Sequence, residues 1–219
     1  MLCEEILTKE IPVLEKTSSG SQVLILMEEL KIRHLPAAEE GKYLFLLSEK
    51  DLFNMDDPEK SIDNISVYAP YVYKKTPILE ALYLINKNQL TFLPVINEDG
   101  ELEGGITLPS LIEGLNEITN AGSNGALIAV EVNSEEYVLS QIIHLIESNN
   151  AYVLSILSYC IKETSKQLLL IRINLEDATP VLRSLERFNY TVKYYAQRQI
   201  LSDETMKNRL NELMYYLEM

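Results

Sequence analysis

Apolar residues in the first half of the chain recur in two blocks of the same layout. Gln22-Val23-Leu24-Ile25-Leu26-Met27 has the spacing of a short buried helix and runs into Ile32-Arg33-His34-Leu35-Pro36-Ala37. Glu80-Ala81-Leu82-Tyr83-Leu84-Ile85 runs in the same way into Leu90-Thr91-Phe92-Leu93-Pro94-Val95. Pro36 and Pro94 stand 58 positions apart, as do Val23 and Ala81. After each proline come an acidic turn, a hydrophobic strand and a second helix start. The turns are Glu39-Glu40-Gly41 and, one residue longer, Asn97-Glu98-Asp99-Gly100, each with a glycine where positive φ is needed. Each copy therefore predicts strand, helix, strand, turn, strand, helix. The helices expected over Ser21–Leu30 and Pro77–Asn88 are apolar on most faces, as when a sheet covers one side and a helix another. A repeat this short buries its core poorly alone, so the two copies are expected to pack together.

The pattern changes after Asn116. Thr119-Asn120-Ala121-Gly122-Ser123-Asn124-Gly125 is polar, lacks a hydrophobic period and reads as a linker. Ala126–Val132 predicts a strand, and Val138, Leu139, Ile142, Ile143 and Ile146 recur at helical spacing with His144 on the opposite side. Val153–Tyr159 and Leu168–Ile173 read as strands around the polar turn Lys162–Lys166. Asp177–Phe188 predicts a helix with Val181, Leu182, Leu185 and Phe188 on one side, and Tyr190–Tyr195 a last strand. The order βαββαβ is that of the ferredoxin-like split βαβ. Ser202-Asp203-Glu204 then opens a helix with a Met206, Leu210, Leu213, Met214, Leu217 stripe, a pattern of core or oligomer contact.

Composition narrows the function classes. The 219 residues suffice for two domains, and 47% hydrophobic with 24% charged is the ordinary globular mix. A formal net charge of −14 repels phosphate backbones and anionic membranes, so neither nucleic acid nor a membrane surface is the expected partner. A small anion is not excluded, because backbone N–H groups can hold one locally. Cys3 and Cys160 lack any CxxC spacing and read as reduced thiols. The acidic start Met1-Leu2-Cys3-Glu4-Glu5 has no signal-peptide character, and no run is long enough to span a bilayer. A cytoplasmic location is the expectation.

The segments His34-Leu35-Pro36 and Phe92-Leu93-Pro94-Val95, the latter followed by Gly100-Glu101-Leu102-Glu103-Gly104-Gly105-Ile106-Thr107, resemble the CBS domain pattern, the second copy more closely than the first. The C-terminal half resembles an ACT domain, and the order CBS–CBS–ACT is similar to the acetoin-utilisation type of CBS protein. The resemblance implies an α+β chain: a tandem CBS module over 1–118 (repeats about 1–60 and 61–118), a linker at 119–125, an ACT-like domain at 126–200 and an amphipathic helix at 201–219.

CBS pairs commonly bind adenosine nucleotides at a Gly-h-h-Thr/Ser-x-x-Asp motif on a strand-to-helix junction. There the carboxylate accepts ribose hydroxyls and the hydroxyl residue lies near phosphate. The resemblance thus implies AMP, ADP or ATP as ligand, with Ser48, Asp51, Gly104 and Thr107 as site residues, no cofactor, no metal and a homodimer. The motif is split between the copies. Phe45 stands at the glycine position of the first, and Ser110 at the aspartate position of the second. Ser48 and Thr107 read equally as helix N-caps, with Pro109 in a first helical turn. In the ACT-like half, Glu136-Tyr137-Val138-Leu139 takes the place of the Pro-Gly-h-Leu segment near which amino acids bind, with Tyr137 where glycine would stand. No HExxH, GxSxG, P-loop or GxGxxG occurs, and neither His34 nor His144 has a partner at telling spacing. Two readings stand: a non-enzymatic sensor of a small metabolite, or a ligand-free dimerisation or partner-binding scaffold.

Overall fold

The structure, a computed structural model, describes residues 1–65, 68–134, 137–162 and 164–198. The helix expected over 201–219 lies outside the described residues. The chain divides into two compact units, Met1–Leu115 and Asn116–Met219.

In the first unit the 58-residue offset holds through the first helix of each copy and becomes 59 after the longer second turn, where Ser48 corresponds to Thr107. Helix α1 (Gly20–Leu30) and helix α3 (Ile78–Asn88) start and stop at corresponding residues. Each ends on a left-handed residue, Lys31 and Gln89, at which the helix turns into its strand. Ser19 caps α1 through a capping box with Gln22, whereas Pro77 occupies the N-cap of α3 and offers no side-chain acceptor. Pro77 thus sits one position before the helix in which the sequence placed it. Val23 and Ala81, the matched core positions, are both buried.

Strands β1 (His34–Glu39) and β2 (Lys42–Ser48) form one antiparallel hairpin. After α2 (Glu49–Phe53) comes the two-residue β3 (Val72–Tyr73), then β4 (Phe92–Ile96) and β5 (Leu102–Thr107) form the second hairpin. A bulge interrupts both, between Ala37 and Ala38 and between Val95 and Ile96. β3 runs parallel to β4 through Val72 and Val95. The leading strand expected in the first copy is reduced to one parallel bridge between Leu14 and Ala37, at the same offset. Helix α4 (Leu108–Ile118) closes the second copy and runs past Asn116.

The repeats exchange their leading segments. Cys3 N–H donates to Thr76 O (2.9 Å), Glu4 N–H to Lys74 O (3.0 Å) and Ile78 N–H to Met1 O (3.3 Å), so residues 1–4 cover the approach to α3. Reciprocally, Gly20 N–H donates to Lys60 O (3.2 Å), Ser21 N–H to Pro58 O (2.8 Å) and Ile62 N–H to Ser18 O (3.1 Å). The two turns also meet: Tyr43 N–H donates to Gly100 O (3.0 Å) and Leu102 N–H to Gly41 O (2.9 Å). The copies are therefore related by an approximate twofold axis.

The second unit is a four-stranded antiparallel sheet in the order β7-β8-β6-β9. Its elements are β6 (Gly125–Asn133), α5 (Leu139–Glu147), β7 (Val153–Cys160), β8 (Lys166–Ile173), α6 (Thr179–Arg187) and β9 (Thr191–Arg198). Ile128, Val130, Leu169, Ile171 and Ile173 face the two helices, which supply Ile142, Ile146, Val181 and Leu185. Two sequence readings shift here. Val138 and Leu139 stand exposed and Leu145 takes the buried position, because α5 begins only at Leu139. Phe188 is also exposed, because α6 ends at Arg187.

Candidate functional site

The first strand-to-helix junction is built by β2 ending at Ser48 as α2 begins. Ser48 Oγ accepts the Asp51 N–H (3.2 Å), and Asp51 Oδ2 accepts both the Ser48 N–H (3.0 Å) and the Ser48 hydroxyl (2.6 Å). This closed capping box satisfies donors that a helix start otherwise leaves to solvent or ligand. Asp51 still lines an open cleft of about 510 Å³, with Asn54, Asp56, Asp57, Lys60 and Ser61 beside it. Phe45, at the glycine position, is buried in the first-copy core, so its ring fills the space that a glycine would leave.

The corresponding junction joins β5 to α4. Thr107 Oγ1 accepts the Ser110 N–H (3.2 Å), the Thr107 N–H donates to Ser110 Oγ (3.1 Å), and the Ser110 hydroxyl donates to Thr107 O (3.1 Å). Serine thus returns the cap that Asp51 returns in the first copy.

The glycine pair before it is needed for close approach. Gly104 has φ +141°, and a Cβ there would lie 2.6 Å from Thr8 O. Thr8 and Gly105 exchange both backbone hydrogen bonds, at 2.9 and 3.0 Å, so the leading segment lies along β5. A small cleft of about 100 Å³ remains beside Gly104, between Lys9, Val13, Phe92 and Glu103. Lys74 pairs with Glu103 at 2.9 Å and holds its carboxyl below the usual range.

Of the four sequence-predicted residues, then, Ser48 and Asp51 are joined at one junction, Gly104 and Thr107 flank the other. Asp51 and Gly104 line separate clefts. The coverage of Gly104 by Thr8 has no signature in the sequence, since residues 1–8 carry no repeating period. In the second unit Tyr137 is partly buried and lines a cleft of about 360 Å³ with Glu131, Lys166 and Tyr190; Glu136 lies outside the described residues. Lys166 and Lys193 both bind Glu131, at 2.7 and 2.9 Å. Among the described residues there is no group of three or more His, Cys, Asp or Glu able to hold a metal, and no helix long and apolar enough to cross a membrane.

Residues 63–117 match the CBS domain family. The matched segment is the second repeat, and CBS-pair domains are regulatory modules rather than catalytic ones. An uncharacterised protein of Methanocaldococcus jannaschii is 26% identical over 106 residues, which span 47% of this chain and 40% of that protein. Among solved structures, a CBS domain pair/ACT domain protein from Thermotoga maritima has a TM-score of 0.49 at 24% identity, covering 53% of this chain and 98% of that one. The CBS-pair protein CBSX2 from Arabidopsis thaliana has a TM-score of 0.48 at 20% identity over 53% of this chain and 95% of that one. CBSX2 has also been crystallised with AMP.

Proposed function

We propose that this protein is a non-enzymatic, cytoplasmic regulatory module of the acetoin-utilisation type. In this reading a CBS pair senses an adenosine nucleotide and an ACT-like βαββαβ domain follows it. The observation that carries the reading is the open cleft at Asp51, at a strand-to-helix junction in a unit whose second repeat matches the CBS family. Ribose hydroxyls lie against Asp51 and the phosphate toward Lys60. Asp51, Asp56 and Asp57 together outnumber Lys60, so the cleft favours AMP, with the least phosphate charge, over ADP and ATP. The sheet order β7-β8-β6-β9 supports the ACT-like assignment of the second unit.

Titration calorimetry with AMP, ADP and ATP tests this. Loss of a charge-assisted hydrogen bond of about 1.5–3 kcal/mol predicts a roughly ten- to hundredfold weaker affinity in Asp51→Ala. Absence of binding at millimolar nucleotide ends the reading.

A second reading, a ligand-free scaffold, is favoured by one specific observation: every hydroxyl of the split motif is already spent on a cap, and Thr8 covers Gly104. Assembly serves both readings. Ile25 and Tyr83, and likewise Phe53 and Ile112, are exposed apolar residues at corresponding positions of α1, α3, α2 and α4. Such a twice-repeated apolar face suits a homodimer with a self-complementary surface.

A further inference from the structure

Three tyrosine rings stand in a row on the first unit, outside the clefts at Asp51 and Gly104. Tyr71 and Tyr73 lie on either side of buried Val72, so alternation along the chain turns both outward. Tyr43 joins them from β2, its hydroxyl donating to Pro70 O (3.0 Å). The Tyr43 and Tyr71 ring centroids are 6.4 Å apart with their planes at 74°, and those of Tyr71 and Tyr73 are 5.6 Å apart at 78°. Each ring stands edge-on to the next, so the row is corrugated and not flat. Tyr71 and Tyr73 are 42% and 46% exposed, and Tyr68, beside Tyr43, is 57% exposed. The backbone beneath is fixed: Leu46 N–H donates to Tyr68 O (3.2 Å), and β3 pairs with β4. The acidic turn Asn97–Glu101 flanks the row. Tyr43 N–H donates to Gly100 O (3.0 Å), and the Tyr73 pKa is raised, by Tyr71 most and by Glu98 least. That hydroxyl therefore stays a hydrogen-bond donor. Lys42 and Lys74 are already held at this edge, on Asp99 O and on the Glu103 carboxylate (both 2.9 Å). Glu98, Asp99 and Glu101 are left against Lys75.

We propose that the Tyr43–Tyr71–Tyr73 row is a docking surface for a basic, proline-rich segment of a partner protein, bound in the extended polyproline II form. Shape, hydrogen bonding and charge each select that chemistry. Perpendicular neighbours make ridges and notches, which suit pyrrolidine rings projecting from a threefold helix. The row measures at most about 12 Å between its outer centroids, a length that about four residues of polyproline II span. Proline carbonyls are acceptors with no N–H beside them, and the Tyr73 hydroxyl offers the missing donor. The acidic turn attracts lysine or arginine flanking the prolines. It repels single-stranded nucleic acid, the other ligand that stacks on aromatic rows, and a formal net charge of −14 adds to that repulsion.

The test titrates the full chain into a fluorescein-labelled peptide of eight prolines with two arginines at each end. Fluorescence anisotropy is expected to give a dissociation constant of about 10–100 μM, the weak end of specific association. Tyr71→Ala and Tyr73→Ala should each weaken binding by about tenfold or more. Glu98→Lys leaves the rings in place and keeps the test decisive should a tyrosine variant fail to fold. It should weaken binding about threefold at low salt, a difference that about 0.5 M NaCl removes. Absence of binding at about 1 mM protein overturns the proposal. Equal affinity for a peptide with glutamates in place of the arginines does the same. Unchanged affinity in both tyrosine variants places the peptide elsewhere and rejects the row. Tighter binding of an oligothymidylate strand would assign the row to nucleic acid and also overturn the proposal.

Discussion

His34 accepts the backbone N–H of Thr91 at Nδ1 (3.2 Å), with the Thr91 hydroxyl 3.0 Å from the same nitrogen. Thr91 is the counterpart of Arg33, whose own N–H donates to Thr91 Oγ1 (2.9 Å), so these residues join the two repeats beside their axis. An acceptor Nδ1 requires the neutral ring. Burial lowers the His34 pKa most and Arg33 lowers it further, against the opposing pull of Asp51 and Glu49.

Stability is therefore expected to depend on pH through this histidine. Its folded pKa lies below the unfolded value, so the unfolded chain takes up the proton first. The contribution is complete above about pH 6.5 and is lost as pH falls from there through the folded pKa. Melting temperatures between pH 7.5 and 5 should fall for the wild type. In His34→Asn, whose amide oxygen accepts the same N–H without titrating, the fall should be shallower, and equal slopes would remove His34 as the cause.

Gly105→Ala should destabilise the second repeat, because its Cβ would enter the buried ring of Phe92. Overpacking of this kind costs about 1–3 kcal/mol. Gly41→Asn is the comparison: nothing lies within 4 Å of the added Cβ, so only the backbone strain of a side chain at φ +81° is added, which asparagine bears better than most residues. Urea denaturation should show the first midpoint lowered by more than the second.

Ser48→Ala removes an N-cap and should cost about 1 kcal/mol whether or not nucleotide binds. The informative quantity is the rise in melting temperature caused by AMP. It should shrink in Asp51→Ala beyond the loss of stability itself; an unchanged rise would confine both residues to capping the helix.

Charging the apolar helix face should separate the protomers. Light scattering is expected to give about twice the 25.0 kDa chain mass for the wild type. The double variant Ile25→Glu, Tyr83→Glu should give the single mass, with circular dichroism unchanged. A wild type already at the single mass would count against the homodimer.

The repeat was legible in the sequence because it rests on local chemistry: the prolines, the turn glycines and the helical periods all recur, the prolines and helices at an offset of 58 and the glycines at 59. The leading segment was not. Residues 1–8 hold their place through isolated bridges to Pro77 and Gly105, contacts that no local period encodes. The shifts at Leu145 and Phe188 have a similar origin, since helix ends decide which residues turn inward. At the candidate site, the residue pattern identified both junctions. It could not separate cap from ligand site, because a hydroxyl and a carboxylate three residues apart serve either purpose.

The exchanged leading segments make the first unit indivisible. A fragment ending near Asp57 would carry the strip that belongs on its missing neighbour and lack the one that finishes its own first helix. Each half is thus expected to be insoluble or to pair with another half when made alone. Mixing 1–57 with 58–118 should reconstitute the unit from its pieces, and in the intact chain both copies should melt in one transition.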